Sequence, residues 1–392
     1  MRIAHLTNAY APHSGGVRTF AHALGRGYQD RGHELVLVVP ADRARRTRQD
    51  WGVLVTLPAP RVPGTAGYRA MVDSRTVRAT LDSLEVDAIE VSDRFTLRHT
   101  GAWARAAGVP SLVLLHERLD GVLRALHVPA AAARAMADRH NRRTLAAFDH
   151  VVVTTRFAGR ELERLGVEPE VVPLGVDLVR FHPLAAARAG EVPDDTVPWR
   201  TPARLVLCSR LSPEKRPDLA VDALGVLLAR GTDAELVIAG TGPARPALER
   251  RAKDLPVTFL GHLDDRAAVA ALLAGADVVL APGPVETFGL AALEALACGT
   301  PVVASSTSAL AEIVTGDAGA TAPPHPAALA RAVEDVLAQP PAPLRRGARA
   351  RAEQFTWRRT VDALLAVHDS PARRLQSEAA LPMSRSKVSG GR

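Results

Sequence analysis

Short apolar runs, each followed by a helical pattern, recur along this chain, and no other feature restricts its fold as much. The opening run RIAHLT is followed by a glycine-containing loop from Asn8 to Gly16, the helical stretch VRTFAHALGRGYQDRG, and a second run, ELVLVVP. Such a β-loop-α-β unit requires parallel strands joined by a right-handed crossover. Further runs follow at VLVTLP, AIEVSD, SLVLLHE, DHVVVTT and EVVPLGVD, separated by helical patterns such as SRTVRATLDSLEV. The alternation predicts a doubly wound α/β domain.

Residues 183–203 (PLAAARAGEVPDDTVPWRTPA) lose the periodicity and hold Pro, Gly and paired acids, so a linker is expected there, at 191–202. A second series then begins: ARLVLCSRL, AELVIAGTG, PVTFLGHL, DVVLAPG and PVVASS. The expected architecture is therefore two Rossmann-like domains, 1–190 and 203–354, facing across a cleft. Ligands of such sheets bind at the carboxyl ends of the strands. FTWRRTVDALLAVH predicts a last amphipathic helix over 355–369, packing back toward the first domain, and 370–392 reads as a basic, disordered tail.

Composition narrows the classes. A chain that is 47% hydrophobic with mean hydropathy +0.02 has material for large cores and is not disordered. Aromatics at 4% argue against a nucleic-acid surface built on base stacking. The two cysteines, Cys208 and Cys298, form neither a disulfide framework nor a metal-ligand spacing. The stretch 295–311 is broken by Gly, Pro, Ser and Thr, and MRIAHLTNAY lacks the features of a secretory leader, so a cytoplasmic protein is expected. Residues 1–150 carry 21 arginines and no lysine against 14 acids, whereas 151–350 carry 20 basic and 24 acidic residues. That asymmetry fits an anionic partner for the first domain, and it equally fits an arginine-rich coding bias.

Three stretches carry chemistry. Gly15-Gly16, before the first helix, lets backbone approach an anion at a helix start. Glycine pairs are common in such loops, and this one lacks the G-x-G-x-x-G pattern of dehydrogenases. SRLSPEKRP places Arg210 and Lys215 at the end of the second domain's first strand, where they could clamp a diphosphate or form a solvated basic loop. PGPVETFGLAALEALACGTPVVAS sets Glu286 and Glu294 eight residues apart around an apolar run, with a helix expected to start near Phe288. Acids in such a helix are costly unless paired, which favours a functional reading.

GGVRT, the R-x4-K pair and E-x7-E in VETFGLAALEALACGTPVVAS closely resemble the retaining family 4 glycosyltransferases of the two-Rossmann-domain (GT-B) architecture, from residue 1 to about 370. SGGVRTF, TAGYRA, EVSDRFTLR, LLHERLD and VPLGVDLVRFHP are similar, more narrowly, to the actinobacterial members that mannosylate inositol lipids. The resemblance implies transfer of mannose from GDP-mannose to a phosphatidylinositol mannoside. It implies that Gly15 and Gly16 meet the donor diphosphate and that Arg210 and Lys215 stabilise the leaving group. Glu286 would hold sugar hydroxyls, the amides of Phe288, Gly289 and Leu290 a phosphate, and Glu294 the ribose. Gly261, His262 and Leu263 would lie by the base. His116, which by itself reads as a strand-end core histidine, matches the family's active-site histidine. Asp93, Arg94, Glu117, Arg118 and Asp120 end strands of the first domain and are assigned to the acceptor side. No apolar-flanked D-x-D appears, since VPDDT and LDDR sit in linker and turn contexts, so no divalent metal or other cofactor is expected. Arg43, Arg45, Arg46, Arg48, Arg61, Arg69, Arg75 and Arg78 could rest on an anionic leaflet. The alternatives are a UDP-sugar transferase with a soluble acceptor, a sugar-nucleotide 2-epimerase and a non-enzymatic binder.

Overall fold

The computed structural model describes residues 1–11, 15–63, 67–185 and 198–371. The first sheet holds β1 (Arg2–Leu6), β2 (Glu34–Ala41), β3 (Arg45–Gln49), β4 (Gly52–Pro58), β5 (Ala88–Val91), β6 (Ser111–Leu115), β7 (His150–Val153) and β8 (Glu170–Val171), in the order β3-β4-β2-β1-β5-β6-β7-β8. All neighbours are parallel except β3 and β4. β1 runs in register with both neighbours, Ile3 opposite Leu35 and Ala88.

The second sheet holds β9 (Ala203–Cys208), β10 (Ala234–Ala239), β11 (Val257–Gly261), β12 (Val278–Ala281), β13 (Val302–Ser305) and β14 (Gly319–Ala322), all parallel, in the order β11-β10-β9-β12-β13-β14. Strand order reverses between β1 and β5 in one sheet and between β9 and β12 in the other. Those switch points open a crevice at the carboxyl ends, which positions the site.

β3 and β14 are the strands that the alternation missed: GATA is too short and too weakly apolar to stand out, and β3 carries no apolar signal at all. RRTRQ holds no apolar residue, and its exposed arginines lie on the outer edge of the sheet, where charge discourages pairing with another chain. Three of the arginines expected to face an anionic leaflet, Arg45, Arg46 and Arg48, are thus strand residues, and Arg48 also pairs with Glu34 at 3.0 Å.

The final helix, Trp357–Asp369, is capped by the Thr356 hydroxyl and lies on the first helix, Gly15–Gln29. A Cβ at Gly27 would come within 2.5 Å of Val361 Cγ2, so only glycine permits this approach. Arg31 pairs with Asp362, and Val176 N–H donates to Phe355 O at 3.0 Å where the chain crosses between the domains. One apolar cluster runs from Ile3 and Leu24 through Val361 and Leu364 to Phe288 and Leu293, joining both domains, while separate clusters fill each domain's outer layer. Trp199 Nε1–H donates to Gln339 O at 2.8 Å under the Arg345 guanidinium, tying the described end of the inter-domain segment to the second domain. VPDDT and the tail beyond residue 371 lie outside the described residues. Among the described residues no helix is long and apolar enough to cross a membrane.

Candidate active site

At the β9/β12 switch point two loops converge. After β9 the chain makes one tight turn, Pro213–Lys215, and after β12 it runs through Glu286 to the Leu290–Ala297 helix. The Lys215 ammonium donates to Glu286 Oε2, with both side chains about one-fifth exposed. Arg210 is more open and donates to Glu214 Oε1 at 3.3 Å, an oxygen that also accepts from Ser212 Oγ at 2.6 Å. Both cations predicted to hold a diphosphate therefore have an acid beside them, and Glu214 is the one that sequence reasoning missed.

The helix begins at Leu290, two residues later than expected, because Gly289 is its cap with φ at 86°. A Cβ there would lie 2.6 Å from Leu310 Cδ2 and 3.2 Å from Glu286 Cγ, so glycine alone fits. Phe288 points away from solvent, edge-on to Phe355 with ring centroids 6.2 Å apart. The amide of Leu290 belongs to the helix's free N-terminal turn, and those of Phe288 and Gly289 precede it.

The first domain completes the crevice. Its opening helix starts at exposed Gly15 and Gly16, and a Cβ on Gly16 would sit 3.5 Å from Leu290 Cδ1, so two helix N-termini meet across the interface. Both contribute positive dipole ends and free amides. Thr287, another residue the sequence did not single out, ties the domains together. Its hydroxyl donates to His116 O, and its carbonyl accepts from Thr154 Oγ1 at 3.2 Å and Thr155 Oγ1 at 3.0 Å. Nearby, Glu312 of the second domain accepts from the amides of Arg156 and Phe157 at the start of the Arg156–Glu163 helix.

His116 follows β6 directly and lies edge-on to Phe20. Burial, helped by the charge of His5, pushes its pKa down to about 4, so the ring is neutral near pH 7. Its Nε2 lies 2.9 Å from Ser92 Oγ.

Glu294 is paired, as its apolar helix demands: Arg266 donates to Oε1 and stacks over Phe181 at 4.9 Å. Burial raises the Glu294 pKa and Arg266 opposes this. Arg266 lies in LDDR, read from sequence only as a turn. Gly261 has φ at 75°, exposed His262 lies 3.3 Å from Asp264, and Leu263 packs on the shared apolar cluster.

The residues assigned to the acceptor side divide, and two are held in ion pairs within the first domain. Arg94 is 3% exposed, its guanidinium donating to Asn141 Oδ1, Glu161 Oε1 and Glu117 O, so it braces the first domain instead of facing the cleft. Asp120 is likewise held by Arg118 and Arg164, whose charges overcome its burial and lower its pKa. Asp93 caps the turn that follows β5 through the amides of Phe95 and Thr96, at 2.8 Å each, and accepts from Asn8 Nδ2. Arg118 also lies over the Phe157 ring, and Glu117 is exposed.

Two doubly wound domains with cations, carboxylates and helix N-termini at facing switch points define a GT-B glycosyltransferase. The chain belongs to the group 1 glycosyltransferase family: residues 202–339 match the family described as "Glycosyl transferases group 1", and residues 15–176 match "Glycosyl transferase 4-like domain". It is 50% identical over 370 residues, 93% of this chain and 95% of the relative, to the GDP-mannose-dependent alpha-(1-6)-phosphatidylinositol dimannoside mannosyltransferase of Mycobacterium tuberculosis. A D-inositol 3-phosphate glycosyltransferase of Saccharomonospora viridis is 33% identical, with 76% of each chain covered. Among solved structures, sucrose-phosphate synthase from Thermosynechococcus elongatus superposes with TM-score 0.74 at 20% identity, covering 94% of this chain and 98% of that one. Anabaena HepE, in complex with UDP and glucose, superposes at 0.70 and 19% identity, covering 94% and 99%.

Proposed function

We propose that this glycosyltransferase moves mannose from GDP-mannose to a phosphatidylinositol mannoside on the anionic, cytoplasmic face of a membrane. The observation that carries the reading is the 50% identity across 93% of the chain to an enzyme named for that donor and acceptor.

The chemistry follows from the groups in the crevice. The sugar C1–O bond to the diphosphate breaks, the acceptor hydroxyl oxygen bonds to C1 on the same face, and its proton passes to a leaving phosphate oxygen. Configuration is thereby retained without the carboxylate pair of a hydrolase. Negative charge grows on the diphosphate as it leaves, and Lys215, Arg210 and the helix amides beside Gly16 and Leu290 offset it. A diphosphate competes with Glu286 for Lys215, and its arrival frees the Glu286 carboxylate for sugar hydroxyls. His116 contacts the sugar, Glu294 with Arg266 takes the ribose, and the Gly261–Leu263 segment lies by the base. No divalent metal is needed, so excess EDTA leaves the rate unchanged. The first domain's arginines draw it to anionic lipid at about 1 kcal/mol each near the surface. Equal flotation with neutral and anionic liposomes would refute that contact.

Calorimetric titration with GDP and, separately, UDP tests the donor. Tight GDP binding without a UDP signal supports the reading, and a preference for UDP overturns the mannosyl assignment while leaving the family intact.

A further inference from the structure

Behind His116 lies a continuous polar chain that no part of the reaction above uses. Ser92 Oγ, just after β5, is 2.9 Å from His116 Nε2 and 3.0 Å from His5 Nε2 on β1. His5 Nδ1 is 2.9 Å from Glu90 Oε2, and Glu90 is fully buried in the middle of the sheet. The other Glu90 oxygen accepts from Tyr28 OH on the first helix and from His368 Nε2, at 3.0 Å, on the last.

The direction of each hydrogen bond in this chain can be worked out. Glu90 has three donors around it, and a carboxylate in an apolar core requires a positive neighbour. Both nitrogens of His5 have partners, whereas His368 Nδ1 is buried with none, so a proton there would be stranded. Of the two, only His5 has a partner for each nitrogen. With both nitrogens donating, His5 would donate from Nε2 to Ser92 Oγ, and the single hydroxyl proton of Ser92 would be left for His116 Nε2. With Nε2 accepting, a neutral His116 carries its proton on Nδ1, the nitrogen that Ser92 does not engage.

We propose that Glu90, His5 and Ser92 are positioning residues that lock His116 in the Nδ1–H tautomer, so that it meets the donor sugar as a hydrogen-bond donor. The proposal deepens the transferase reading and rests on it for the identity of the ligand, but the tautomer itself does not. Burial raises the Glu90 pKa, but hydrogen bonds from His368 and His5 outweigh it and bring the carboxyl down to about 2. His116, at about 4, is neutral near pH 7.

The experiment is long-range nitrogen–proton NMR on the full chain labelled in histidine, with His116→Gln identifying the His116 signal. The expected spectrum shows an unprotonated Nε2 and a protonated Nδ1. Ser92→Ala mixes the two tautomers and lowers kcat about 10-fold with KM for GDP-mannose nearly unchanged, as for a misoriented contact. Ser92→Thr, which keeps the hydroxyl, restores both. A protonated Nε2 in the unaltered chain, or a Ser92→Ala variant with unchanged tautomer and kcat, overturns the proposal. Absence of transfer from GDP-mannose would instead overturn the donor assignment, and the spectrum would still decide the tautomer.

Discussion

The two sheets place their polar groups differently. In the second, the candidate donor-binding charges sit in loops beyond the strands, Arg210 and Lys215 after β9 and Glu286 after β12, and each has a partner within the same loops. In the first, His5 and Glu90 lie inside strands, and their network draws on Tyr28 and His368 from helices at opposite ends of the chain. A loop site is local and tolerates exchange of its ligand. A site wired through a core is tied to the packing of the whole domain, so the same kind of substitution costs binding or rate in one and stability in the other.

The sharpest way to break this contrast is Lys215→Ala. Loss of the cation proposed to face the leaving group lowers kcat/KM by ~100-fold or more with the melting temperature unchanged. A Ser92→Ala loss exceeding it would reverse the ranking of the two domains. Glu286→Gln comes next. Transfer falls about 30-fold, in the range for a lost transition-state contact, while GDP binds as tightly or tighter because Lys215 is released. Weaker GDP binding in calorimetry would mean that Glu286 holds the nucleotide and not the sugar. Gly289→Ala forces a Cβ against Leu310 at a positive φ and destabilises by about 2 kcal/mol, read as a lower urea midpoint.

The last effect is an acid-dependent one. His116 refuses a proton in the folded state until about pH 4, whereas the unfolded chain accepts it near 6.5, so stability falls as pH drops from 6.5 to 4. Glu90 works in a lower window: its stabilisation is complete above about 4.5 and drains away toward pH 2. His116→Gln should lessen the fall in melting temperature between pH 6.5 and 4, the remainder coming from His22, His99 and His140, whose pKa values burial also lowers, and leave the lower leg in place. An upper leg as steep as in the unaltered chain would assign it to those groups.

The same contrast explains what could be read in advance. Apolar runs made the last helix and all strands but β3 and β14 legible, since strands buried on both faces leave a continuous apolar stretch. The second domain's candidate residues could be singled out because R-x4-K and E-x7-E are local spacings. β3 was not legible, because an edge strand of arginines carries no apolar signal. The start of the Leu290–Ala297 helix was misplaced because backbone handedness at Gly289 is set by the contact with Leu310, which is distant in sequence. His5, Glu90, Ser92 and His368 were invisible for a related reason. Residues separated by up to 363 positions share no local pattern, and each taken singly looks like an ordinary core or helix residue. Arg94 misled in the other direction, since a charge at a strand end suggests a ligand unless its buried partner Glu161 is known.

The helix at the end of the chain also has a consequence for biosynthesis. Val361 fills the notch at Gly27, and His368 supplies one of the donors to Glu90. While the ribosome is still making the second domain, the first already has all its strands but has an open groove and a carboxylate short of a partner. The domain made first is thus the one finished last. Emergence of Trp357–Asp369, and not of residue 185, is the event that seals it. A nascent chain stalled before Trp357 should remain sensitive to protease within the first helix, and become resistant once the last helix emerges.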